Sequence, residues 1–88
     1  MKYRSRTDIA AAILEIALDG SIKTRIMYKA FLSFPQLKEY LAVLEAKGLL
    51  EHIAIDREYR TTDKGKQFLK MYKDVGHMIF PNPAANKK

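Results

Sequence analysis

The chain has 88 residues, 48% of them apolar, a net charge of +6 and no cysteine. That length suits one small domain held by a packed core, and it excludes a disulfide framework or a thiolate metal site. The longest near-apolar stretch, Ile9–Leu18, is interrupted by Glu15 and is too short to span a bilayer. With no signal-like N-terminal segment either, the chain reads as soluble and cytoplasmic.

The first predicted element is a helix from Ile9 to about Asp19, capped by Thr7 or Asp8 and stopped by Gly20. Ile9, Ile13 and Ile16 share one face and Ala11, Leu14 and Leu18 another, so it should pack on two sides. Ser21-Ile22 is an extended link, and Lys23–Phe31 a shorter helix with Ile26, Met27, Ala30 and Phe31 apolar. After a Leu32-Ser33 turn, Ser33 caps a third helix reaching Lys47, with Pro35 in its first turn and Gly48 beyond its end. Leu37, Leu41 and Leu44 form its inward stripe beside Tyr40, while Gln36, Glu39, Val43 and Ala46 point away. Leu49–Ile55 and Tyr59–Thr62 read as two short strands around a polar tip, Asp56-Arg57-Glu58. Thr62 or Asp63 then caps a fourth helix with Phe68, Leu69, Tyr72, Val75 and Ile79 at three- and four-residue spacing. Pro81 and Pro83 end regular structure, so residues 1–80 read as one domain and 81–88 as a tail. The fold class is mainly α with one small β-hairpin (α+β), in which a steep helix-turn-helix is braced by the hairpin and by a third edge near Ser21.

The segments "FPQLKEYLAVLEAKGLLE" at 34–51 and "YRTTDKGKQFL" at 59–69 resemble the archaeal winged helix-turn-helix proteins of the ArnR-like type. The likeness spans roughly positions 5–79. It implies double-stranded DNA as partner, a dimeric transcriptional regulator or chromatin-associated protein at the nucleoid, and a homodimer through the last helix.

Under that reading Ser33, Gln36, Lys38 and Glu39 on the third helix face base edges in the major groove. Lys23, Thr24, Arg25 and Lys29, with Arg4 and Arg6 on an N-terminal arm that also holds Lys2 and Tyr3, suit phosphate contacts. Arg57 at the wing tip suits the minor groove and Arg60 a phosphate, although Asp56 and Glu58 beside Arg57 offer it an internal ion pair instead. Phe68, Tyr72, Val75, Gly76 and Ile79 form the expected dimer seam. His52 and His77 have no ligand-spaced partners, and no nucleophile triad or glycine-rich phosphate loop stands out. Neither a metal, a cofactor nor an enzyme is expected. The competing expectation is a protein-interaction adaptor that does not touch DNA, favoured by the neutral third helix and the acidic wing.

Overall fold

In the computed structural model, which describes residues 4–79, helix α1 spans Arg6–Ile16 and is capped by Ser5 rather than by Thr7 or Asp8. Ser5 Oγ accepts from the Asp8 amide at 3.0 Å, and Asp8 accepts from the Ser5 amide at 3.1 Å. This reciprocal pair satisfies two first-turn donors at once, which moves the start of the helix upstream of the expected Ile9. The helix also ends early, at Ile16, because Ala17–Asp19 tighten into turns that lead to Gly20. Gly20 has φ +101°, a conformation that side chains rarely tolerate, and it swings the chain toward the hairpin.

Helix α2 runs Lys23–Ala30, and Phe31, expected inside it, is instead its left-handed C-cap with φ 58°. The Leu32 amide bonds back to the Met27 carbonyl at 3.0 Å, closing the helix end. This reversal puts Leu32 into the core and turns Phe31 outward, so the expected apolar position is 82% exposed. Helix α3, Phe34–Ala46, follows the expected pattern, with a Ser33/Gln36 capping box, Pro35 in the first turn and Leu37, Tyr40, Leu41 and Leu44 buried.

Strands β1 (Leu50–Ile53) and β2 (Glu58–Thr61) pair antiparallel, from Leu50 opposite Thr61 to Ile53 opposite Glu58. The ladder closes two residues earlier than expected on the β1 side, so the tip is Ala54–Arg57 and Ile55 belongs to it, 91% exposed. The expected third edge is present. Ser21 and Tyr59 exchange backbone hydrogen bonds of 2.9 and 2.7 Å. Thr61 is buried, but its hydroxyl donates to the Leu14 carbonyl at 2.6 Å and its amide to the Ala17 carbonyl at 3.0 Å. A buried polar group thus ties β2 to α1 without being left unsatisfied.

Helix α4, Asp63–Ile79, begins at Thr62, whose hydroxyl accepts from the Gly65 amide at 3.0 Å and donates to the Gly48 carbonyl at 2.6 Å. Ile13, Leu14, Ile26 and Leu37 are completely buried where α1, α2 and α3 meet, and Leu50 and Leu69 close the core from the hairpin and α4. Burying each such side chain contributes about 1.5–3 kcal/mol. Asp8 accepts a hydrogen bond from Tyr72 Oη, joining α1 to α4. That bond, helped by the Ser5 amide and hydroxyl, holds the Asp8 carboxyl below its ordinary 3.8 and pushes the Tyr72 hydroxyl up. Because the folded value is depressed, the tie is present above the ordinary carboxylate range and is lost only as pH falls through the lowered value. The tail at 81–88, the end of the expected domain at 80, and Lys2 and Tyr3 of the arm lie outside the described residues.

Candidate nucleic-acid interface

The inward stripe of α3 fixes what its other side presents. Glu39 stands near the centre of the exposed side, with Gln36 and Val43 toward one flank and Lys38 toward the other. Ser33 and Gln36 are both engaged in the cap: Gln36 Oε1 accepts from the Ser33 amide at 2.9 Å and from the Ser33 hydroxyl at 3.1 Å. Two-point recognition of adenine by Gln36 needs that same oxygen, so the cap and the base compete for it. Glu39 lies 3.5 Å from the Arg6 guanidinium, which also covers the Tyr40 ring at 5.4 Å. Arg6 is thereby docked on α3 and offsets the Glu39 carboxylate, which would otherwise repel a phosphate there. Both groups are exposed, so the pair orients charge more than it stabilises the fold.

The Lys23 and Lys38 ammonium groups each sit 5.6 Å from the centre of the half-exposed Phe34 ring. The ring gathers two cations from α2 and α3 that sequence spacing alone keeps fifteen residues apart. Beside them runs a trough made of two adjoining hollows. The first, of about 330 Å³, lies between α3 and Tyr59 and carries the Glu45 carboxylate beside Lys23 and Lys38, and the second, of about 570 Å³, is lined by Ile22, Lys23, Thr24, His52, Arg57 and Tyr59. His52 stacks on Tyr59 with ring centres 4.5 Å apart, giving the hairpin side an aromatic wall. Burial and the nearby Glu45 carboxylate raise the Tyr59 hydroxyl, so it remains a neutral donor through the physiological range. No side chain caps α2, which leaves its first-turn amides facing solvent or an anion.

The remaining expected cations fall elsewhere. Arg57, with φ 55°, is carried at the hairpin tip into the second hollow. Arg60 lies on the opposite face of the hairpin from Tyr59, near Gly20. Arg25 is two positions beyond Lys23 and so about 200° around α2 from it, with Lys29 one turn further on the same side. Arg4 donates to the Phe31 carbonyl at 3.3 Å, at the far end of α2. The structure thus assembles Lys23, Thr24, Lys38 and Arg57 around one trough and docks Arg6 on α3, while Arg4, Arg25, Lys29 and Arg60 stand apart. Phe34, His52 and Tyr59 were not singled out from sequence as site residues. For Phe34 half of the signal was in the sequence, Lys38 one turn along the same helix, whereas Lys23 comes to the ring from α2 only in the fold.

Compared with protein-family models, residues 3–80 match the winged helix-turn-helix family. The chain belongs to that family. No curated protein matches it. In winged helix-turn-helix terms α2 and α3 are the two helices of the motif, and β1–β2 with its tip is the wing. Among the described residues no group of three His, Cys, Asp or Glu side chains is placed to hold a metal ion, and no helix is long and apolar enough to cross a membrane.

Of the expected dimer seam, Phe68 and Tyr72 are partly buried against the chain's own core, and Tyr72 is committed to Asp8. Val75 and Ile79 are exposed, as are Met71 and Met78, which belong to the same apolar side of α4 and were not expected in the seam. Open space lies over Gly76, one turn beyond the last ties of α4 to α1, Tyr72 to Asp8 and Lys73 to Glu15 at 3.4 Å.

Proposed function

We propose that this chain binds double-stranded DNA, with α3 entering the major groove and one sugar-phosphate strand lying in the trough between α3 and the wing. The observation that carries this reading is the convergence of Lys23, Lys38 and Arg57 with the uncapped α2 N-terminus on that one trough. Phosphates there meet charge, the Thr24 hydroxyl and backbone donors, contacts that position the protein without reading sequence. Lys38, and Glu39 when released from Arg6, are then the side chains placed to read bases, with Ser33 and Gln36 reading only if their cap opens. Arg4 and Arg6 order the N-terminal arm on α2 and α3, and Arg60 acts at the margin of the wing.

The protein works as a homodimeric transcriptional regulator or chromatin-associated protein, its α4 halves packed through Val75, Ile79 and the adjacent methionines. A two-fold pair of α3 helices would meet successive major-groove turns roughly 34 Å apart. An adaptor that contacts only protein is the second reading, favoured by the Glu39 carboxylate at the middle of the exposed α3 side.

Titration of a duplex at several salt concentrations tests the first reading. Each neutralised phosphate contributes a slope of about −0.9 in log affinity against log salt. The double substitution Lys23→Ala and Arg57→Ala, the two trough cations not assigned to bases, should flatten the slope by roughly 2 and weaken binding to all sequences alike. A salt-independent affinity, or no binding of the duplex, favours the adaptor, and a slope unmoved by the double substitution removes the trough from the DNA interface.

A further inference from the structure

The outer side of α2 presents a second surface that the trough does not use. Tyr28 is 73% exposed and Phe31 82% exposed, one helical turn apart, with Arg25 and Lys29 flanking Tyr28. Arg4 is held at the same end by its bond to the Phe31 carbonyl. Between Asp19 and Glu39 the sequence contains no carboxylate, so nothing on this helix neutralises those cations. Phe31 disfavours the fold twice: it occupies a left-handed backbone position that glycine would hold without strain, and it leaves a large ring in water. The eight residues of α2 put about 12 Å between Lys23 at the trough and this end of the helix.

We propose that Tyr28 and Phe31, ringed by Arg4, Arg25 and Lys29, form a docking surface for an acidic segment of another protein that carries aliphatic or aromatic residues. Aromatic anchors with arginine at their edge are the make-up of interface centres, whereas a phosphate backbone has no apolar group to offer two exposed rings. The flanking cations select negative charge on the partner and speed its approach. The surface is independent of the DNA reading, and it gives the chain a way to be recruited while the trough is occupied.

Selection of random linear peptides from a display library on the full chain tests this, followed by affinity measurements on the selected peptides. Peptides rich in Asp and Glu with interspersed apolar residues are expected. Their affinity should fall about tenfold or more in Phe31→Gly and in Tyr28→Ser, and saturating duplex DNA should not displace them. Phe31→Gly suits its backbone better than phenylalanine does, so its melting temperature should hold or rise, which separates lost docking from lost folding. Selected peptides that are neutral or basic, or that bind both variants as tightly as the parent chain, overturn the proposal. Displacement by the duplex, with DNA affinity falling in Phe31→Gly, would assign the surface to the DNA interface instead. Loss of self-association as the only effect of the two substitutions would assign it to a second copy of this chain.

Discussion

At Gly65 the absence of one methyl group decides how closely α4 can lie on the rest of the domain. A Cβ there would collide with the Leu49 carbonyl oxygen and come within 2.6 Å of the Thr61 methyl group. Those partners belong to the α3–β1 connection and to the end of β2, which cannot retreat without breaking the hydrogen bonds of Thr61 and Thr62. Glycine inside a helix ordinarily costs about 1 kcal/mol against alanine. Gly65→Ala should nevertheless destabilise the fold by about 1–3 kcal/mol, because overpacking exceeds the helix gain. Gly76→Ala, with open space over it, should stabilise by roughly 0.5–1 kcal/mol. Urea unfolding of the two variants checks both signs. The sequence marks both glycines as interior to α4 and equally costly, and only the close approach at Gly65 distinguishes them. Phe31 shows the same limit: its spacing after Ile26 and Met27 reads as apolar and inward, but one left-handed residue gives the inward place to Leu32.

At the scale of elements, the helices with strong stripes were legible and their ends were not. The Leu37/Leu41/Leu44 pattern, the Ser33 cap and Gly48 define α3 in sequence nearly as the structure has it. The start of α1 was misplaced because Ser5 and Asp8 act as a pair, and the helix that hydrophobic spacing detects begins a turn inside the capped one. Helix α4 was legible as an amphipathic element, but its stripe serves two purposes in succession. Leu69, Phe68 and Tyr72 close the monomer, and beyond them Val75, Met78 and Ile79 leave the body exposed. Exposed large apolar groups gathered on one helix side mark an association surface. Sedimentation of the chain over a range of concentrations should show a dimer that Val75→Glu with Ile79→Glu converts to monomer without loss of helix content. A parent chain that stays monomeric at high concentration removes α4 from the account of self-association.

At the scale of the whole molecule, the order of elements made the winged architecture legible, including the Ser21 edge, whereas the distribution of charge over the surface was not. In sequence Lys23, Arg25 and Lys29, with Arg4 and Arg6 of the arm, read together as phosphate contacts. Folding instead divides them. Lys23 and Lys38 meet across Phe34, Arg57 is carried beside them by the wing, Arg6 is spent on Glu39, and Arg25 and Lys29 are turned to the other side of α2. Helical geometry contains the Lys23–Arg25 separation, but which of the two faces α3 depends on the angle at which α2 and α3 cross. Amide chemical-shift mapping of the intact chain during titration with a duplex tests the central claim most directly. The account predicts shifts concentrated at Ile22–Thr24, along the first turns of α3 and at the wing around His52–Tyr59, with Tyr28 to Phe31 unmoved. Shifts centred on the outer side of α2, or none in α3 and the wing, would contradict it.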